Sequence, residues 1–138
     1  MCIRDSFWNA WLDKLAAAAG MMVNTWDDLQ AALQKRHAFF AQSGCRLSDY
    51  GLDTVYAENY NEAGIRAVFA RVRQGGAATQ EEVCQFRSAV LFTCMAMDAK
   101  TDWSVQIHYW QTSSCVAVPP WRTRAKIART AASVYVSA

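Results

Sequence analysis

Hydrophobic residues recur at three- and four-residue steps along several stretches of this chain, which is the spacing of helices with one apolar face. The first stretch runs from Phe7 to Ala19 and stops at Gly20. The second begins at Thr25 and continues to Ser43, and Asp28 follows Thr25 at the spacing of a capping box. This pattern predicts two helices with defined ends in the first third of the chain.

The helical pattern returns in the middle of the chain. Asn61 can cap a third helix that continues to about Arg73, and Thr79 with Glu82 begins the longest helix, Thr79 to Ala99. Apolar residues form one stripe along this last helix, and they are Val83, Phe86, Val90, Cys94 and Met97. A stripe of this kind needs another element to cover it.

Two short segments are predicted as strands, Cys45 to Ser48 and Trp103 to Tyr109. The first is followed at once by Asp49, and the second carries His108 near its end. The order of helix, strand and chemically capable side chain therefore occurs twice. We predict an α/β chain that is mostly helical with two short parallel strands. Since ends of consecutive parallel strands lie side by side, Asp49 and His108 are expected within about 10 Å of each other.

Composition indicates a folded chain of limited size. The 138 residues are 53% apolar and 12% aromatic, which favours a packed core over disorder. A complete (β/α)-barrel needs about 250 residues, so this length can supply only part of one. The net charge of +2 is too small to indicate nucleic-acid binding, and no apolar run approaches the roughly 18 residues of a membrane span. A cytoplasmic location is expected.

The remaining reactive residue types have ordinary explanations. The five cysteines are irregularly spaced and form no C-x-x-C pair, which argues against a disulfide framework or a cysteine zinc site. Cys45 is expected to be reduced and buried. His37, beside Lys35 and Arg36, is expected on a solvated helix face. Taken alone, His108 would more often be a structural histidine, and the residues from Ser48 to Gly51 could form an Asx turn.

Several segments in register carry a family resemblance. They are Phe7-Trp8-Asn9-Ala10-Trp11-Leu12-Asp13-Lys14-Leu15, Trp26-Asp27-Asp28-Leu29-Gln30-Ala31-Ala32-Leu33, His37-Ala38-Phe39-Phe40, the stretch from Gly44 to Asp53, and Gln106-Ile107-His108-Tyr109. Together they resemble an internal piece of uronate isomerase (glucuronate isomerase), over about residues 7–109. The resemblance implies a metal-dependent (β/α)-barrel of the amidohydrolase superfamily that interconverts aldo- and keto-hexuronates, such as D-glucuronate and D-fructuronate or D-galacturonate and D-tagaturonate.

The resemblance also implies roles for the two candidate residues. In amidohydrolase-type barrels, histidines on the first and middle strands and an Asp on the last strand hold the metal, and His108 resembles one of the middle-strand ligands. We therefore expect His108 to be a catalytic and metal-binding residue. Asp49 is the second catalytic candidate, as the acceptor that holds the imidazole, as a carboxylate beside the metal, or as a partner of the substrate.

The family resemblance implies a divalent metal, zinc by preference, and a hexuronate as the small-molecule partner, with no nucleic acid and no membrane. This chain has no His-x-His pair, so it is expected to be inactive alone and not to bind the metal tightly. The apolar stripe that includes Val83, Phe86, Val90 and Met97 is expected to be exposed without the rest of a barrel, and to promote self-association.

Both ends of the chain depart from the family pattern. Residues 1–6 have no counterpart in it and are expected to be a non-native leader. After Tyr109 the pattern stops, no acidic residue follows Asp102, and Arg122, Arg124, Lys126 and Arg129 make the tail basic. Residues 110–138 are therefore expected to be an atypical tail, possibly frame-shifted, that packs poorly. The alternative function is a non-catalytic helical binding or structural module, with the basic tail as its own functional element.

Overall fold

Four helices and two strands make up the described part of the chain. The structure is a computed structural model, and it describes residue 3, residues 7–52 and residues 56–109. The elements follow in the order α1 (Trp8–Ala19), α2 (Trp26–Gln42), β1 (Leu47–Leu52), α3 (Glu62–Arg73), α4 (Gln80–Lys100) and β2 (Ser104–Tyr109). The mostly helical chain with two short strands is confirmed.

The helix ends lie where the capping residues predicted them. The Thr25 hydroxyl accepts the Asp28 backbone N–H, and the Asp28 carboxylate accepts the Thr25 backbone N–H. Thr79 and Glu82 form the same reciprocal pair at the start of α4. Helix α1 ends at Gly20, which adopts a left-handed conformation with φ of 60°. These local interactions satisfy backbone groups that the helix ends would otherwise leave unpaired.

Strand β1 differs from its predicted boundaries. It begins at Leu47 and continues to Leu52, so Asp49 lies inside the strand and not after its end. The Asx turn considered for Ser48 to Gly51 is therefore wrong. Asp and Gly disfavour strands, but pairing with a neighbouring strand overrides such local preferences.

The two strands pair in parallel, as predicted. Leu47 lies opposite Ser104, and Leu52 lies opposite Tyr109. The chain between them contains α3 and α4. Because side chains alternate along a strand, each face of the sheet carries every second residue. One face, here called the polar face, includes Asp49, Gly51, Gln106 and His108; the other, here called the helix face, includes Ser48, Tyr50, Val105 and Ile107.

The helices enclose an aromatic core centred on Phe86 of α4. The rings of Trp8 and Trp26 contact the Phe86 ring edge-on at centroid distances of 5.6 and 5.5 Å, and Phe69 stacks at 6.3 Å. Three other helices of the same chain thus supply the rings around α4. Burial of this apolar area is the main stabilising contribution to the helical part of the fold.

The apolar stripe of α4 is covered, so its predicted exposure is wrong. Val83 and Phe86 are each 2% exposed, Met97 is buried, and Val90 is partly buried against the same core. The physical reason is that residues of α1, α2 and α3 pack on this stripe and cover it. Self-association of the chain stays a prediction.

Several sequence-based expectations concern residues outside the described ranges. The basic tail, with Arg122, Arg124, Lys126 and Arg129, falls there, as do Asp53 and most of the predicted leader. Ile3 is described and is buried in the core cluster, so this one leader residue takes part in the fold. Among the described helices, none is long and apolar enough to cross a membrane.

We predict that Phe86→Ala lowers the free energy of unfolding by about 3–5 kcal/mol, because it leaves a cavity between three aromatic rings. Phe92→Ala is the matched control, since Phe92 lies on the same helix but is 66% exposed. It should change the free energy of unfolding by no more than about 0.5 kcal/mol. Urea denaturation followed by circular dichroism measures both variants, and equal losses would contradict this description of the core.

Candidate functional site

Asp49 and His108 form a hydrogen-bonded pair on the polar face of the sheet. The distance from His108 Nδ1 to Asp49 Oδ1 is 2.8 Å. His108 lies opposite Gly51 in the strand pairing, so its ring reaches diagonally to Asp49 on the neighbouring strand. The prediction that parallel strands bring these two residues together is confirmed.

The pair fixes which imidazole nitrogen is available. A carboxylate accepts hydrogen bonds, so His108 Nδ1 carries the proton that Asp49 accepts. In the neutral ring, Nε2 then keeps its lone pair, which can accept a proton or bind a cation. The His108 side chain is 52% exposed and the Asp49 side chain 12%, so the imidazole is reachable while its carboxylate partner is largely covered.

Gly51 leaves the space that the His108 ring occupies. A Cβ atom at this position would lie 3.1 Å from His108 Nε2, closer than an ordinary van der Waals contact. A larger residue here would therefore push against the very nitrogen that carries the free lone pair. Gly51 thus contributes to the site because it has no side chain that would displace the His108 ring.

The described residues do not complete a metal site. Within residues 7–52 and 56–109, no group of three or more His, Cys, Asp or Glu side chains is placed to hold a metal ion. A catalytic zinc site typically takes three protein ligands. The described part of the chain therefore offers the imidazole of His108 as a ligand, and the divalent metal stays a prediction.

A buried carboxylate, Asp98, lies behind the pair on the helix face. It is fully buried near the end of α4. The Ser48 hydroxyl donates to Asp98 Oδ1 at 2.7 Å, and the Tyr50 hydroxyl donates to Oδ2 at 2.5 Å. His37 Nε2 lies 3.2 Å from Oδ1. We call Asp98 with Ser48 and Tyr50 the clamp.

His37 does not lie on a solvated face, so that expectation is wrong. Its side chain is buried, bonded to Asp98 and stacked on Trp103 at a centroid distance of 4.0 Å. Its charged neighbours Lys35 and Arg36 pointed to solvent, but adjacent helix residues face different directions. The informative signal was that His37 follows the buried Leu33 by four residues, which places both on one face.

Asp98 was not recognised from the sequence. It follows Cys94 by four residues and so continues the apolar stripe of α4, where a carboxylate is unexpected. A charged residue at such a position is rarely buried without partners. That signal was available, but the partners of the carboxylate come from two other parts of the chain, helix α2 and strand β1.

Burial affects the groups around Asp98. It raises the pKa of Tyr50 well above its usual value, and the hydrogen bond to Asp98 raises this pKa further, so the phenol stays protonated as a donor. Burial, reinforced by the negative charge of Asp98, also raises the pKa of Cys94 to about 12. Cys94 is therefore a protonated packing residue. Cys45, expected to be buried, is half-buried.

Comparisons with known proteins agree on one family. The model of the glucuronate isomerase family matches residues 1–114. The uronate isomerase of Bacteroides thetaiotaomicron is 46% identical over 100 residues, which is 72% of this chain and 21% of the relative. That of Cellvibrio japonicus is 42% identical over 109 residues, or 78% of this chain and 23% of the relative. The chain thus spans about a fifth of the length of these curated relatives.

Solved structures give the same result for the fold. The crystal structure of uronate isomerase from Thermotoga maritima superimposes on this chain with a TM-score of 0.73 at 26% identity. The match covers 78% of this chain and 24% of the Thermotoga maritima chain. Glucuronate isomerase from Caulobacter crescentus superimposes with a TM-score of 0.68 at 23% identity. The arrangement of four helices and a two-stranded parallel sheet therefore matches a portion of these structures.

We predict that Gly51→Ala displaces the His108 ring by a few tenths of an ångström, because the added methyl group would contact Nε2. The ring carbon-bound proton signals of His108 in an NMR spectrum should shift. Gly64→Ala is the control, since its added Cβ would meet Asn61 and not His108. Unchanged His108 signals in folded Gly51→Ala would contradict the close approach.

A second prediction concerns Asp98. Asp98→Asn should lower the free energy of unfolding by about 1.5–3 kcal/mol, because hydrogen bonds to a buried charged group are lost. Asp102→Asn makes the same chemical change at an exposed residue with φ of 56°, a conformation that Asn tolerates. Chemical denaturation should show little loss for this control. Similar losses in both variants would show that the buried hydrogen bonds of Asp98 contribute little to stability.

Proposed function

We propose that this chain, which belongs to the glucuronate isomerase family, carries part of the active site of an aldose–ketose isomerase that interconverts aldo- and keto-hexuronates. D-glucuronate with D-fructuronate, and D-galacturonate with D-tagaturonate, are the substrate pairs. The observation that carries the proposal is the Asp49–His108 pair on one face of two parallel strands. We place this activity in the cytoplasm.

The two strands are proposed as neighbours in the wall of a (β/α)-barrel. Their parallel pairing and the helices between them are what such a wall requires. The helix face packs against α4 through Ser48 and Tyr50, as the outside of a barrel wall does. The polar face, with Asp49 and His108, would then be directed to the barrel interior and the substrate.

Conversion of an aldose into a ketose moves a proton between adjacent carbons, so the reaction needs a group that accepts and returns a proton. His108 suits this kind of work because its Nε2 keeps a lone pair while Nδ1 is held by Asp49. Asp49 also stabilises the positive charge that the ring gains when Nε2 is protonated. A metal ion would bind through the same Nε2 lone pair. We therefore propose His108 for both roles, proton transfer and metal binding.

The described residues do not supply a complete zinc site. The substrate carboxylate needs cationic partners, and the developing charge on the substrate oxygen needs donors. We propose that these groups come from parts of the isomerase beyond residues 7–109.

A chimeric enzyme tests the proposed function. Residues 7–109 of this chain would replace the matching segment of the Bacteroides thetaiotaomicron uronate isomerase, which is 46% identical over 100 residues. Isomerisation of D-glucuronate is followed by coupling to a ketouronate reductase. We expect the chimera to be active, and His108→Asn in it to lower kcat/KM by about 10²–10⁴-fold, the usual contribution of a positioned acid or base.

In the same chimera, Asp102→Asn should leave kcat/KM unchanged, because Asp102 is exposed in the turn before β2. A chimera that folds but shows no turnover, or one in which His108→Asn retains full turnover, would overturn the proposed function.

The chain on its own is predicted to show neither turnover of D-glucuronate nor tight zinc binding, since the described part holds too few ligands for a catalytic zinc site. Isothermal titration calorimetry with zinc chloride and the coupled reductase assay measure the two properties. Stoichiometric tight binding together with turnover above background would show that this chain holds a complete site.

A further inference from the structure

The clamp connects the buried carboxylate to the two neighbours of Asp49. Ser48 donates to one oxygen of Asp98 and Tyr50 donates to the other. These two residues lie directly before and after Asp49 in β1. One side chain of α4 therefore holds the strand on both sides of the candidate site residue.

This arrangement determines the face on which Asp49 lies. Side chains alternate along a strand, so anchoring Ser48 and Tyr50 on the helix face directs Asp49 to the polar face. A slip by one residue would exchange the two faces and break both hydrogen bonds. The clamp therefore specifies the position of β1 along α4 as well as its orientation.

Asp98 also anchors the start of the second strand. Its backbone carbonyl accepts the Trp103 N–H at 2.9 Å, one residue before β2. The Ser104 N–H in turn donates to the Arg46 carbonyl at 2.9 Å, which joins the beginnings of the two strands. The side chain of Asp98 thus holds β1, and its backbone holds β2.

His37 keeps the Asp98 carboxylate in the orientation that the clamp needs. Its Nε2 lies 3.2 Å from the oxygen that also accepts from Ser48. Its ring is held by stacking on Trp103, at a centroid distance of 4.0 Å. Ser48 and His37 thus hold Oδ1 of Asp98, and Tyr50 holds Oδ2. The carboxylate therefore has little freedom to rotate.

We propose that Asp98 is a positioning residue for the Asp49–His108 pair: through the clamp and its backbone carbonyl it sets the separation at which Asp49 holds His108 Nδ1–H. The inference rests on the proposed function only in taking this pair as the site. Asp98 itself is fully buried against the helix face of the sheet and acts on the pair through other residues.

The tautomer of His108 reports on this positioning. The chain contains two histidines, so labelling histidine with ¹⁵N gives two sets of ring signals, which the His108→Gln variant assigns. In the unchanged chain, neutral His108 should be mainly the Nδ1–H tautomer, because Asp49 accepts that proton. Asp49→Ala removes the acceptor, so it should remove this preference directly.

Tyr50→Phe removes one donor of the clamp and Ser48→Ala removes the other, while Asp98→Asn changes the acceptor. Each should lower the ratio of Nδ1–H to Nε2–H tautomer of His108 several-fold. Val68→Ala is the control, because Val68 is buried in α3 and has no part in the clamp. It should reduce stability but leave the His108 tautomer ratio unchanged.

The milder variants keep the test decisive if Asp98→Asn does not fold. An unchanged tautomer ratio in folded Tyr50→Phe and Ser48→Ala would overturn the proposal, and so would an equal change in Val68→Ala. A folded Asp49→Ala chain with the original ratio would show that the pair itself does not form. An inactive chimera with clamp-dependent tautomers would reject the isomerase function and retain the positioning role. An active chimera whose tautomer ratio does not depend on the clamp would support the isomerase function and reject the positioning role.

Discussion

The burial of one carboxylate constrains much of this structure. Asp98 has no contact with solvent, and an ionised group in such a place is tolerated only when several donors surround it. Its donors come from helix α2 and from strand β1, while its own backbone carbonyl receives the N–H that precedes strand β2. Because the carboxylate cannot be left with unsatisfied oxygens, these elements must assemble around it together.

This requirement separates two kinds of stability in the chain. The four helices pack through aromatic and aliphatic side chains around Phe86, which is non-directional and tolerates small shifts. The two strands are short, and a two-stranded sheet has little stability of its own. Directional hydrogen bonds to Asp98 give the sheet the exact register that apolar packing alone would not select. Because both faces of the sheet share one register, these hydrogen bonds also position Asp49 and His108 on the polar face.

The candidate site illustrates how the two faces of a sheet can have different tasks. On the helix face, Ser48 is buried and Tyr50 is partly buried, and both donate to Asp98, which favours a single arrangement. On the polar face, the imidazole of His108 is half-exposed and one of its nitrogens is unencumbered by the Asp49 bond. A proton-transferring or metal-binding residue needs a rigid support, here the helix face, and an accessible side chain, here on the polar face. Gly51 contributes by leaving room beside β1 on the polar face for the His108 ring.

Local chemistry in the sequence determined the helices and their caps, because capping residues such as Thr25 and Thr79 act within a few positions of themselves. The strand pattern predicted parallel neighbours that bring Asp49 near His108, but the hydrogen bond between these two residues joins positions 59 apart and depends on the tertiary structure. The tertiary structure alone decided that the apolar stripe of α4 is covered, that His37 is buried and that Asp98 is the acceptor for both neighbours of Asp49. Each of these depends on groups about 50 or more residues apart, whose proximity arises only when the helices and strands pack together.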